Sequence, residues 1–166
     1  TTIILDNRTT GMTGLQEHPG TGFTITGEPT HSIDLETLVR ALGVKHVRKV
    51  DPYNLKEAME VIREEVERDE PSVIITVDGP CMLHRREKRK FEYPFYTIDT
   101  ETCRGCGLCL EVGCPALSWK EVSEDEAMTK DGHKRKGIVQ INRLQCPGCS
   151  LCSQICKFEA IIPGKA

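Results

Sequence analysis

The sequence predicts an α/β domain built on a parallel sheet, followed by a small α+β module too short to rest on a hydrophobic core alone. Apolar, β-branched runs alternate with amphipathic stretches in the first half of the chain. Eight of the nine cysteines lie beyond residue 100. Those eight form an internal repeat, since Cys103, Cys106 and Cys109 each recur 43 residues later. A cysteine-poor domain of about 90 residues and a cysteine-rich one of about 65 are both ordinary sizes. The smaller needs a metal or a cross-link to supplement its core. The expected boundaries are 1–83 for the first domain, 84–97 for a linker and 98–166 for the second.

In the first domain TTIIL is apolar and β-branched, and reads as a buried strand. Asp34 or Ser32 can cap a short helix with Leu35, Leu38, Val39 and Leu42 on one face, ended by Gly43. VKHVRKV is the next strand, running into Asp51-Pro52. Asn54 and Glu57 form a capping-box pattern for a second helix. Its expected buried stripe is Leu55, Ala58, Met59, Ile62 and Val66, with Glu60, Arg63, Glu64 and Glu67 outside. Pro71 stops it, and SVIITV is a third buried strand leading to Gly79, Pro80 and Cys81. A β-α-β-α-β order implies parallel strands with crossover helices. Cys81 fits there as a small buried hydrophobe rather than a ligand.

The cysteine runs are CRGCGLCLEVGCP (Cys103, Cys106, Cys109, Cys114) and CPGCSLCSQICK (Cys146, Cys149, Cys152, Cys156). Three cysteines at three-residue steps present three thiolates to three corners of an iron-sulfur cube, and a remote cysteine closes the fourth. In two-cluster ferredoxins the remote cysteine of each run serves the other cluster. The expected ligands are therefore Cys103, Cys106, Cys109 and Cys156 for one 4Fe-4S cluster. Cys146, Cys149, Cys152 and Cys114 would hold the other. Zinc favours two paired cysteine steps across a longer spacer and has no use for a third at the same step. Disulfides would strain to join cysteines three apart. With four thiolates for each cube no iron is left open, so the clusters are expected to carry electrons. The module departs from the simplest ferredoxin pattern in three places. Four residues separate Cys109 from Cys114, Lys157 follows the last cysteine, and a 31-residue spacer divides the runs. Asp131-Gly132 in that spacer suits a hairpin turn. Its acidic (Glu124 to Glu126) and basic (Lys134 to Lys136) flanks can face each other across the hairpin or serve a docking partner.

A net charge of -3 and a pI near 6.0 give no reason to expect nucleic acid. The one basic run, His84 to Lys90, reads as a solvated linker or a docking surface for an acidic partner. No stretch is long and apolar enough to span a membrane, and no leader pattern opens the chain. A cytoplasmic protein is expected. The chain has no initiating Met and begins in an apolar run, which suggests a piece of something longer.

The loop DNRTTGMTGLQEHPGTG follows the first strand at the end where open α/β sheets place ligands. Asp6, Asn7, Thr9 and Thr10 offer oxygens suited to a hard cation such as magnesium, and the glycines let backbone approach a diphosphate. On its own such a loop is often only a loop. Together with DPYN at Asp51, GPCML at Gly79 and the two cysteine runs, it resembles the C-terminal portion of the large (alpha) subunit of the indolepyruvate ferredoxin oxidoreductase family. That family lies within the thiamine diphosphate-dependent 2-oxoacid:ferredoxin oxidoreductases. The resemblance covers essentially the whole chain.

The resemblance implies a partial thiamine diphosphate-binding fold ahead of a 2[4Fe-4S] ferredoxin-like domain. By position, Asn7 would give a side-chain oxygen and Thr9 its backbone carbonyl to Mg2+. Thr10, Gly11, Thr13 and Gly14 would lie near the diphosphate. His18 would lie toward the substrate side or serve the loop's own structure, both readings standing, and Glu17 occupies a position where Pro is expected. The implied reaction oxidatively decarboxylates an aryl pyruvate with coenzyme A and passes two electrons singly to external ferredoxin. The family's other magnesium ligand, the Asp of a GDG motif, would lie before Thr1. The remainder of the large subunit and a small (beta) subunit are thus the implied partners, and this stretch alone is expected to be inactive. The alternative is a non-catalytic 2[4Fe-4S] electron carrier that docks on another redox enzyme.

Overall fold

The computed structural model describes residues 1–10, 16–77, 79–81, 90–129 and 131–164. The chain divides into two compact units, Thr1–Lys90 and Phe91–Ala166.

The first unit holds a three-stranded parallel sheet of β1 (Thr2–Asp6), β2 (His46–Val50) and β3 (Ser72–Val77), in the order β1-β3-β2. Helix α1 (Leu35–Ala41) joins β1 to β2, and α2 (Leu55–Val66) joins β2 to β3. Alternate residues of β3 face different helices. Val73 and Ile75 pack with Val47 and Val39 of α1, while Ile74 packs with Val50, Ala58 and Val61 of α2. Both expected caps form. Asp34 accepts the Thr37 N–H at 2.8 Å, and Asn54 accepts from the Glu57 N–H while donating to its carboxylate at 2.9 Å.

Four expectations need correction. Among the described residues the first strand is an edge strand rather than a buried one, because only β3 pairs with it there and Ile3 and Leu5 are exposed. On α1, Val39 is buried but Leu38 and Leu42 are exposed. On α2 the buried residues are Ala58, Val61 and Glu65, whereas Met59, Ile62 and Val66 are exposed. That helix carries apolar residues on two neighbouring stripes, and the face that meets the sheet is turned by about one residue from the one expected. Glu65 is fully buried, yet Arg68 grips both its oxygens (2.9 and 3.1 Å) and Arg48 adds a contact at 3.4 Å. Those hydrogen bonds from Arg68 hold its pKa below the usual carboxylate value against the cost of burial. Cys81 is half-buried rather than buried.

The second unit is built twice. β4 (Tyr96–Ile98), a 3₁₀ helix (Leu108–Val112) and β5 (Leu117–Glu121) are followed by β6 (Gly137–Ile141), α3 (Leu151–Ile155) and β7 (Ile161–Pro163). β4 pairs antiparallel with β7 and β5 with β6, so each half completes the other's sheet. The repeat extends to backbone detail at the same 43-residue offset. Asp99 accepts the N–H of Glu101 as Asn142 accepts that of Leu144, both at 3.0 Å. Gly107 and Ser150 both take positive φ, +74° and +64°. Gly105 and Gly148 do so as well. A Cβ at Gly105 would overlap the Gly137 carbonyl, and one at Gly148 the Tyr93 carbonyl, so each cysteine loop presses on the strand approach of the opposite half.

The β5–β6 hairpin forms as Asp131-Gly132 predicts, with a bridge between Met128 and Lys134. No ion pair joins its acidic and basic flanks among the described residues. Arg135 instead donates to backbone carbonyls, those of Glu126 (3.2 and 3.3 Å), Thr100 (2.5 Å) and Cys103. Among the described residues no helix is long and apolar enough to cross a membrane. Most of the basic run, 84–89, lies outside them.

Candidate functional site

The turns that begin at Cys103 and Cys146 each carry three cysteines at or before a short helical segment, of which Cys103, Cys109 and Cys152 are buried. Cys103, Cys106, Cys109 and Cys156 line one small cavity, together with Ile98 and Phe158. The fourth wall of that cavity thus comes from the other run. Burial pushes the Cys109 thiol up to about 11, and the nearby thiols of Cys103, Cys106 and Cys156 push the same way. The second set mirrors the first. Burial raises Cys152 to about 12, with Cys149, Cys146 and Cys114 as its sulfur neighbours, and raises Cys149, with Cys114 and Cys146 beside it. The structure therefore brings together the two crossed groups of four that the spacing predicts. All eight are free thiols.

The donor chemistry fits iron-sulfur cubes. The first set lines a cavity, and the second is gathered as mutual electrostatic neighbours, four sulfurs in each case. Burial that disfavours thiolates when protons are their only partner is offset by iron, which holds sulfur deprotonated. Tyr96 donates its backbone N–H to Cys146 Sγ at 3.4 Å, the kind of contact that tunes a cluster. Tyr96 itself is buried, its phenol pushed up by desolvation, and meets Tyr93 edge to face at 5.8 Å.

In the first unit Asn7 directly follows β1. Its Oδ1 accepts the Thr9 N–H at 3.2 Å and its carbonyl accepts the Cys81 N–H at 2.8 Å, tying the loop to the segment after β3. One lone pair of the Asn7 oxygen stays available to a cation. Asp6 accepts the Arg8 N–H at 3.1 Å, and Arg8 takes a φ of +56°. Thr10 pairs with Gln16 in both directions (3.0 and 3.2 Å), so its amide serves the loop rather than facing a ligand. Gly11, Thr13 and Gly14 lie outside the described residues. His18 Nδ1 accepts the Gly20 N–H at 3.1 Å, which leaves the proton of the neutral ring on Nε2. A cleft of about 300 Å³ opens beside these residues, lined by Asp6, Arg8, His18, Asp34 and Lys49 among others. Lys49 is balanced by Glu36 (2.9 Å) and Asp34 (3.6 Å). Sequence reasoning did not single out Lys49, a single charge without a motif, and it took Arg8 and Arg135 only as members of the loop and of the basic hairpin flank.

Residues 1–76 match the family described as thiamine pyrophosphate enzyme, C-terminal TPP binding domain, and residues 95–157 match the 4Fe-4S dicluster domain. Over 99% of its length the chain is 38% identical to the indolepyruvate oxidoreductase subunit IorA of Archaeoglobus fulgidus, of which it covers 24%. It is 39% identical over 97% of its length to the subunit of the same name from Methanothermobacter marburgensis, covering 23% of it. Ferredoxin-3 of a Nostoc species is 35% identical over 36% of the chain, which covers 67% of that protein. The chain thus spans about a quarter of the length of the IorA relatives that it matches.

Proposed function

We infer, from a chain that belongs to the same family as the C-terminal part of the indolepyruvate oxidoreductase subunit IorA, that it forms one side of a thiamine site and the electron outlet of a 2-oxoacid oxidoreductase. The observation that carries this is the pairing, in one chain, of two crossed four-thiol sets with the Asn7 loop at the end of a parallel strand. Cys103, Cys106, Cys109 and Cys156 hold one 4Fe-4S cluster, and Cys146, Cys149, Cys152 and Cys114 the other. Asn7 Oδ1 and the Thr9 carbonyl bind Mg2+. Thr10 and the residues after it shape the diphosphate side of the loop, and His18 stands toward the substrate. When bound, thiamine diphosphate supplies carbanion chemistry and the clusters supply one-electron acceptance.

The chain's own residues do the rest. Asn7 and Cys81 fix the loop against the sheet, and the apolar lining around Cys109 and Cys152 keeps water from the sulfurs. The substrate is an aryl pyruvate such as indolepyruvate, with coenzyme A as acyl acceptor and external ferredoxin as electron acceptor. The remainder of the large subunit and a small subunit complete the enzyme. The cytoplasm, where thiols stay reduced, suits this cysteine chemistry.

The test uses the full-length subunit with its small subunit. Indolepyruvate and coenzyme A should drive reduction of ferredoxin, and Asn7→Ala should reduce this at least tenfold with the iron content unchanged. A protein that passes electrons from dithionite to ferredoxin but shows no dependence on thiamine or any 2-oxoacid would be a carrier, and the inference would be wrong.

A further inference from the structure

The two cysteine loops are near-copies, so the places where the 43-residue repeat is broken by charge have a direct consequence. Position 135 holds Arg, and the residue 43 earlier is Glu92. Position 104 holds Arg, and its counterpart is Pro147. Arg135 is half-buried, and its guanidinium donates to the carbonyl of Cys103 itself and to that of Thr100. Arg104 lines the first cavity, stacks over Phe158 at 4.9 Å from the ring centre and pairs with Asp131. In the second half the matching position holds Glu92, an exposed residue whose carboxylate sits against the Tyr93 hydroxyl and within electrostatic reach of Tyr96.

We propose that Arg135 makes the cluster of Cys103, Cys106, Cys109 and Cys156 the more oxidising of the two, so that electrons settle there before leaving. A nearby positive charge stabilises the reduced, more negative cube, and solvent access acts in the same direction. Cys106 is exposed, whereas the other seven ligands are buried or half-buried. Three features oppose this. Asp99, Glu101 and Asp131 are acidic groups of the Cys103 turn and its hairpin, but Glu101 and Asp131 are exposed, the Asp99 hydrogen bonds lie at the surface and Asp131 is paired with Arg104, while Arg135 lies against a ligand carbonyl in a partly buried contact. The Tyr96 N–H raises the second cluster, but it is a neutral dipole against a full charge. Arg143, on the second half, is turned over the Phe95 ring. In the step itself one electron leaves the second cube, which is oxidised, and enters the first, which is reduced. No bond breaks and no proton moves.

This rests on the two-cluster reading above, and potentiometric titration of the anaerobically reconstituted chain, followed by electron paramagnetic resonance, separates the two. Fewer than about eight irons per chain would sink the two-cluster reading itself. With about eight, two one-electron steps should differ by at least tenfold in electron partition, or 59 mV. Arg135→Gln should lower the upper step alone and Arg135→Lys should retain it. Should Arg135→Gln fail to take up iron, Glu92→Arg at the exposed matching position should raise the lower step and narrow the gap. Equal steps in the wild-type chain, an Arg135→Gln effect on the lower step, or no movement with Glu92→Arg would overturn the proposal.

Discussion

In the first unit the central strand β3 is buried along nearly its whole length, and Ile74 and Ile75 are almost inaccessible. In the second, the largest apolar cluster gathers Tyr96, Val139 and Ile161 around two cysteines, Cys109 and Cys152. One unit is held by side chains that exclude water from a sheet. The other places polarisable thiols where a core would be, so its stability depends on what those thiols bind. The contrast explains why a module this small can exist at all.

The largest effect that would break this comparison is removal of iron. Stripping the reconstituted protein with a chelator should abolish the cooperative melting of the second unit and leave that of the first in place, as read by circular dichroism. If both units melted unchanged, the thiols would not be the structural element claimed for them.

Within the first unit, Glu65 is the buried group that does not depend on packing. Glu65→Gln should cost about 2–3 kcal/mol in denaturant unfolding, because Arg68 and Arg48 then lose their anion. Its pKa is lowered in the fold, so its contribution is fully present above the unfolded value of about 4.3 and is lost as pH falls toward the lower folded value. The wild-type chain should therefore lose stability in that acid range more steeply than the variant. The two falling in parallel would show that the ion pair contributes nothing.

The smallest effect separates the halves of the second unit. Ser150 holds the left-handed conformation that Gly107 holds in the first half. Ser150→Gly should stabilise the loaded protein by about 0.5–1 kcal/mol, while Gly107→Ser should cost a similar amount. Opposite signs would mean that the halves are not conformational copies.

Much of this was legible in the sequence for identifiable reasons. β3 could be placed because five consecutive apolar or β-branched residues, Val73 to Val77, lie between a proline and a glycine. The Asp34 and Asn54 caps were visible because capping is local chemistry. The thiol sets followed from spacing, since each run supplies only three adjacent corners. What escaped was decided at a distance. The exposure of Ile3 and Leu5 depends on which strand pairs with β1, and the burial of Glu65 on α2 draws on Arg48, which reaches it from β2. The role of Arg135 becomes visible only when the hairpin folds back on the Cys103 turn.

Crossed ligation is the central claim, and paired substitutions test it through iron content. Cys103→Ser combined with Cys156→Ser should remove a single cluster and leave about four irons per chain, whereas Cys146→Ser combined with Cys156→Ser should damage both. The reverse pattern would show that each run holds its own cluster and would contradict the account.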